Sequence, residues 1–135
     1  MSYAQVYGQW REDPEGFWLT AANGIDWVKK PPTPLDPSRA RLYEGSTAAQ
    51  VNTCWTAGAR HVAAGRGEQP AIIHDSPVTG TKHVITYAEL QTRVATLAGA
   101  LRANLIEKGD RVIIYMPMVP EALEAMLACA RLAAI

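Results

Sequence analysis

The sequence predicts an α/β fold, and three observations predict it. Two short β-prone runs, 71–74 and 83–85, flank a turn-rich loop. An apolar stripe at three- and four-residue spacing starts at Tyr87. A nearly continuous apolar run over 111–116 then precedes another helical stretch. The order is β-hairpin, helix, strand, helix, preceded over residues 1–50 by an extended arm.

The stripe is the best-defined signal. Thr86-Tyr87-Ala88-Glu89 is a capping box, in which the threonine hydroxyl and the glutamate carboxylate reciprocally satisfy backbone donors. Tyr87, Leu90, Val94, Leu97, Leu101 and Leu105 then fall on one side of a helix of about five turns, with Arg93 and Arg102 off that side. Lys108-Gly109-Asp110 makes a turn, and Arg111-Val112-Ile113-Ile114-Tyr115-Met116 suits a strand buried on both faces of a parallel sheet. After the loop Met116-Pro117-Met118-Val119-Pro120, a helix opens at Pro120 or Glu121. It runs through Leu123, Met126, Leu127, Ala130 and Leu132, apolar nearly all round. A strand buried on both faces needs a parallel partner reached by a crossover helix. The last helix begins such a crossover, and the expectation is a sheet continued by further polypeptide.

The hairpin precedes the stripe, with Ala71-Ile72-Ile73-His74 and His83-Val84-Ile85 as strands and 76–81 as a longer loop. Upstream, residues 51–67 predict a helix capped by Asn52 or Thr53, with Trp55, Ala59 and Val62 on one side and Gly65-Arg66-Gly67 as its stop. Gly58 in its interior costs about 1 kcal/mol relative to alanine, so this helix must lean on packing. In the arm, Asp13 caps a helix with Pro14 at its first position and Glu15 at the positive end of the dipole; it stops at Asn23-Gly24. Pro31, Pro32, Pro34 and Pro37 exclude helix and central strand beyond it. Trp10, Phe17, Trp18 and Trp27 could stack on a sugar or base, but burial that anchors the arm on a larger body is favoured.

Composition narrows the function classes. Of 135 residues, 48% are apolar and 19% charged, enough apolar material for a core. Lys plus Arg and Asp plus Glu number 13 each. That balance, with no basic block, argues against nucleic acid or an anionic membrane as partner. Cys54 and Cys129 form no Cys-x-x-Cys pair and lack a histidine at ligand spacing, which argues against a zinc site or disulfide framework and for a reducing cytoplasm. The start lacks a signal-peptide layout, and the apolar stretch 122–135 is too short to span a bilayer and carries Arg131.

Motifs with chemical potential fail on their context. Gly65-Arg66-Gly67-Glu68-Gln69-Pro70 starts like a dinucleotide fingerprint, but it puts proline at the third glycine and follows a helix. Thr79-Gly80-Thr81-Lys82 has one glycine and joins two strands, which favours a hairpin loop over a phosphate cradle. His61, His74 and His83 lack partners at metal or triad spacing. Asp13, Glu89 and Glu121 are explained by helix starts.

With those elements placed, the sequence resembles the short-chain acyl-CoA synthetases of the adenylate-forming superfamily. Ile85-Thr86-Tyr87-Ala88-Glu89-Leu90 is similar to the superfamily's first core motif. The stretches Lys108–Val112 and Tyr115–Ala122 are similar to its acetate/propionate branch, and Met126–Ile135 to the start of its second core motif. Asn52-Thr53-Cys54-Trp55 and Arg60-His61-Val62 resemble the first domain helix. Asp13-Pro14-Glu15, Phe17-Trp18 and Ile25-Asp26-Trp27 resemble the branch's amino-terminal extension. The short lead before Asp13 points to propionate–CoA rather than acetate–CoA ligases. Gly45-Ser46 depart from a bulky aromatic pair, and Thr56, Gly58 and Ala59 from an Asn, a Leu and an Asp.

The resemblance implies an extension of the acetyl-CoA synthetase type over 1–50 and the incomplete beginning of the AMP-binding domain over 51–135. It also implies a full-length, AMP-forming enzyme in which ATP and a short carboxylate give an acyl-adenylate and CoA then displaces AMP. ATP, CoA and Mg²⁺ serve that enzyme, and none is expected for this segment. The Ser/Thr/Gly-rich phosphate loop, the ribose-binding acid, the mobile lysine and a CoA-binding stretch are all expected beyond Ile135. No catalytic, cofactor-binding or metal-binding residue is therefore assigned here, and the segment alone is expected to be inactive. Its expected partner is the remainder of its own chain. The rival reading is a small α/β interaction module with a Trp-rich binding arm; a dinucleotide binder is weakened by the failed glycine pattern.

Overall fold

The structure, a computed structural model, describes residues 1–38, 44–46 and 48–135. The chain divides into two compact units, Met1–Val51 and Asn52–Ile135.

The first unit opens with a helix that the sequence reading did not separate from the arm, α1 (Tyr3–Glu12). Ser2 caps it in a full capping box with Gln5. Asp13 ends α1 and caps α2 (Pro14–Ala21), its carboxylate accepting from the Gly16 amide at 2.9 Å; a 3₁₀ turn over Ala22–Gly24 finishes that helix near the expected stop. Trp27 is pinned by its indole N–H, which donates to the Ala22 carbonyl at 2.7 Å. Past the prolines a two-residue antiparallel ladder pairs β1 (Leu35–Asp36) with β2 (Glu44–Gly45), and an isolated bridge joins Lys29 to Gln50. Pro34 and Pro37 flank β1 rather than enter it, so the ladder loses no donor.

The second unit begins with Asn52, whose side chain accepts from the Trp55 amide at 3.0 Å. The expected helix is present, but its middle is a π turn, Trp55–Ala59, continued by α3 (Arg60–Ala63). The wider turn rotates the buried side away from the α-helical expectation. Cys54, Gly58 and Ala59 are buried while Trp55 is 44% exposed. The hairpin is β3 (Pro70–Ser76) and β4 (Thr81–Thr86), antiparallel, with Ile72 opposite Ile85 and His74 opposite His83; a bulge follows Pro70. Side chains alternate across it: Ile85 is buried, whereas Ile73 and Val84, paired on the other face, are exposed.

Helix α4 (Tyr87–Ala103) starts with the expected capping box: the Thr86 amide donates to Glu89 Oε2 at 2.9 Å and the Glu89 amide to Thr86 Oγ1 at 3.2 Å. Leu90, Val94 and Ala98 are its buried residues, with Leu97 and Leu101 packed beside them. The stripe ends earlier than expected. Leu105 lies beyond the helix at φ 64° and is exposed. The Leu105 amide donates to Arg102 and the Ile106 amide to Leu101, the paired closing bonds of a Schellman motif with leucine at the left-handed position.

Helix α5 (Pro120–Leu132) packs against α4; Ala128 joins Cys54, Ile85, Leu90, Val94 and Ala98 in the core. It buries one side, Glu124, Ala128 and Cys129, and leaves Leu123 and Met126 exposed, so it is less apolar in its surroundings than the sequence pattern suggests.

The expected strand over 111–116 is the main correction. The backbone is extended but carries no ladder among the described residues, and one face is bare: Ile113 and Tyr115 are 92% and 98% exposed. Its single rung is informative. Ile135 donates its amide to the Asp110 carbonyl at 2.7 Å, and the Val112 amide donates to the Ile135 carbonyl at 2.8 Å. Those bonds flank Arg111 as in a parallel pair, with α5 as the crossover. The missing burial has a physical reason: among the described residues no second layer covers Ile113 and Tyr115, and no ladder continues the rung.

Candidate functional site

A cleft of the second unit lies between the hairpin, the start of α4 and the loop before α5, with a volume of about 1210 Å³. The hairpin register presents His74 and His83 side by side, with nearly parallel rings whose centroids are 6.5 Å apart. The capping box at the start of α4 sets Glu89 and, one turn later, Arg93 on another wall; Met118 and Glu121 complete the rim. His74 Nδ1 is buried without a hydrogen-bond partner among the described residues. Arg93 reaches across to α5, where its guanidinium donates to Glu124 Oε1 at 3.3 Å; Glu124 is the buried carboxylate of the unit.

This arrangement orders charge around the cleft. The described residues contain no group of three His, Cys, Asp or Glu side chains placed to hold a metal ion. The loop Thr79–Lys82 spends its polar groups internally. The Gly80 amide donates to the Ser76 carbonyl at 2.9 Å, the Thr79 amide to Ser76 Oγ at 3.3 Å, and Lys82 pairs with Asp75 at 3.1 Å. A triphosphate needs such donors free, so these residues do not fit ATP. Gly65–Gly67 is likewise a turn: Gly65 takes φ 77°, and the Gly67 carbonyl accepts from the Ala88 amide at 3.0 Å, which ties the loop to the start of α4.

Each histidine has a structural neighbour. His61 contacts the Arg66 guanidinium and packs its ring on Tyr87 at 4.7 Å. Desolvation of the ring, with the positive charges of Arg66 and Arg60, pulls its pKa below the ordinary histidine value. The convergence of His74, His83, Glu89 and Arg93 on one cleft was not read from sequence. The hairpin register carried a signal for the two histidines, but the approach of Arg93 to Glu124 depends on how α4 and α5 pack.

In the first unit, an apolar recess of about 240 Å³ is lined by Trp18, Trp27, Pro31 and Pro34. Trp18 is 54% exposed there and meets Phe17 edge-on at 5.3 Å.

Comparison with known proteins gives this scaffold its class. The family described as AMP-binding enzyme matches residues 59–135, more than half of the chain, and the chain belongs to it. The family described as acetyl-coenzyme A synthetase N-terminus matches residues 3–57, so the sequence corresponds to the amino-terminal region of a short-chain acyl-CoA ligase of the acetate type. Among curated relatives, acyl-CoA synthetase short-chain family member 3, mitochondrial, of Bos taurus is 48% identical over 127 residues, covering 91% of this chain and 18% of that protein. Acetyl-coenzyme A synthetase 2 of Pseudomonas putida is 42% identical over 137 residues, covering 98% and 21%. In fold, the chain matches the acetoacetyl-CoA synthetase structure from Streptomyces lividans with a TM-score of 0.82 at 28% identity, over 100% of this chain and 21% of that one. The chain thus spans about a fifth of the length of the relatives it matches.

Proposed function

We propose that this chain is the amino-terminal scaffold of a synthetase that activates propionate with ATP to an acyl-adenylate and transfers the acyl group to CoA. Acetate is the alternative substrate. Residues 1–50 serve as the extension and residues 51–135 as the beginning of the AMP-binding domain. The observation that carries this reading is the adjoining match of the two families across residues 3–57 and 59–135. The Arg111–Ile135 rung supports it, since it starts a parallel sheet of the kind a larger domain would extend.

ATP, CoA and Mg²⁺ bind, in this reading, to polypeptide that the longer relatives have and the present residues do not supply. The role of this chain is mechanical: α4, α5 and the 111–116 segment form a support on which later loops are placed. The 135-residue chain alone is inactive, works in the cytoplasm as part of its synthetase, and engages neither nucleic acid nor membrane. No helix among the described residues is long and apolar enough to cross a bilayer.

The test is carboxylate-dependent ATP–pyrophosphate exchange. It is run on the purified 135-residue chain and on the chain fused to the last four-fifths of the Pseudomonas putida relative. The fusion is expected to exchange and the chain alone to show none. Exchange by the chain alone would overturn the scaffold role, and acetate preferred over propionate by the natural full-length synthetase that carries these 135 residues would overturn the propionate reading. The apolar recess beside Trp18 favours a second reading, an interaction module that captures an apolar segment. A stable complex of the chain with a partner unrelated to synthetases, blocked by Trp18→Ala, would favour it.

A further inference from the structure

Asn23-Gly24 is the one asparagine–glycine step in the chain; the other asparagines, Asn52 and Asn104, precede Thr53 and Leu105. Both residues of the step are exposed, in the short 3₁₀ turn Ala22–Gly24, which no side chain caps at its start. A single uncapped turn opens locally at little cost. Gly24 stands in open space, since a Cβ built on it would meet nothing within 4 Å. The Lys30 ammonium donates to Asn23 Oδ1 at 2.8 Å. Two further bonds hold the exit of the turn to the Ala22 carbonyl: the Ile25 amide donates to it at 3.2 Å and the Trp27 indole N–H at 2.7 Å.

We propose that Asn23 is a self-modification site, converted through a cyclic imide to aspartate and isoaspartate, and that Lys30 promotes the conversion. In the opened turn the Gly24 amide nitrogen gives its proton to water and attacks Asn23 Cγ. A C–N bond forms, the Cγ–Nδ2 bond breaks, and ammonia leaves with the proton that water returns. Water then adds to one of the two imide carbonyls. Opening at the original backbone carbonyl gives isoaspartate, and opening at the side-chain carbonyl gives aspartate; no oxidant or reductant takes part. The Lys30 hydrogen bond draws electron density from Cγ and meets the negative charge that builds on Oδ1 during the attack. Glycine at 24 leaves the attacking nitrogen uncrowded and its backbone free to turn into the ring. Isoaspartate runs the chain through its side-chain carbon, which adds a methylene to the backbone of the turn. The Ala22 carbonyl then loses its register with the Ile25 amide and the Trp27 indole, and Trp27 is released. The arm therefore loosens with the age of the chain, whatever activity the longer protein has.

The test incubates the purified 135-residue chain in neutral buffer and follows all three asparagines by peptide mass spectrometry, with isoaspartate counted by isoaspartate-directed methylation. Asn23 is expected to convert at least about tenfold faster than Asn52 or Asn104, with isoaspartate among its products. Gly24→Ala should slow the conversion about tenfold, and Lys30→Met about fivefold. Circular dichroism that matches the parent chain checks that both variants fold, as the exposure of both positions leads one to expect. In the converted chain the Trp27 indole N–H should exchange with solvent at least about tenfold faster than in the fresh chain. Conversion of Asn23 no faster than that of Asn52 and Asn104 would overturn the proposal. Aspartate without isoaspartate would overturn the imide route in favour of direct hydrolysis. A Lys30→Met chain that converts as fast as the parent, or faster, would overturn the promoting role and make the ammonium a guard of the amide. Unchanged exchange at the Trp27 indole after conversion would overturn the loosening of the arm. None of these readouts depends on substrate turnover, so they stand or fall apart from the synthetase reading.

Discussion

Replacing Arg93 with methionine isolates the cost of a carboxylate left alone in the interface of α4 and α5. Glu124 is 8% exposed as a residue, and among the described residues its carboxylate is met by the Arg93 guanidinium at 3.3 Å through a single contact. Breaking a fully buried pair costs about 3–5 kcal/mol, because the surviving charge has lost its water as well as its partner. The Arg93 side chain is 47% exposed, however, so water can enter from the cleft side and screen what remains. The expected destabilisation is therefore about 1–2 kcal/mol for Arg93→Met. Glu124→Gln keeps an acceptor of the same shape and removes the charge, so it should cost about 0.5 kcal/mol. Combining both changes should recover part of the Arg93→Met loss, a coupling of about 0.5–1 kcal/mol. Urea unfolding at neutral pH, followed by far-UV circular dichroism with a shared m-value, measures all three. The reasoning fails if Arg93→Met is neutral or stabilising. It also fails if Glu124→Gln costs more than Arg93→Met, since the carboxylate would then be serving a different partner.

Three further perturbations follow from the same geometry. A methyl group added at Gly58 meets nothing within 4 Å, so Gly58→Ala should stabilise by about 0.5–1 kcal/mol and raise the melting temperature by about 3–6 °C in calorimetry; a lowered melting temperature would show the π turn requires glycine. Leu105 holds φ 64° at the end of α4 with its side chain 84% exposed, so Leu105→Gly should gain about 0.5–1 kcal/mol in urea unfolding, and a loss would mean the side chain packs in solution. His61, with its pKa lowered by desolvation and by Arg66 and Arg60, stays neutral in the folded chain to lower pH than in the unfolded one. As pH falls below about 6.5 the unfolded chain binds the proton first, so stability declines through that window and is kept above it. The fall in urea midpoint between about pH 7.5 and about pH 5.5 should be smaller in His61→Gln, and an equal fall would refute the role of His61.

Local chemistry was legible wherever it was decided by neighbours in sequence. The Thr86–Glu89 capping box, the Leu90–Val94–Leu97–Leu101 stripe and the Asp13-Pro14 helix start all appear as read, because each is settled by contacts within one or two turns. Helix α1 is equally local, since Ser2 and Gln5 form the same kind of box, but the sequence reading assigns no helix before Asp13 and leaves residues 1–12 in the arm. The face buried by residues 53–63 is only partly the expected one: Ala59 is buried as the spacing predicts, but around the π turn Cys54 and Gly58 are buried and Trp55 is 44% exposed, which no spacing rule anticipates.

Caps, periodicity and motif spacing are short-range or cumulative properties of the chain, and they fix the succession of hairpin, α4 and α5, the starts of α2, α4 and α5, and the kinship to acyl-CoA ligases. Packing in three dimensions settles which side of α5 is covered, that Arg93 reaches Glu124, that two histidines share a cleft, and that 111–116 stands with one face bare. Those outcomes depend on which surfaces meet, and burial in a parallel sheet is conferred by neighbouring strands and layers rather than by the apolar run itself.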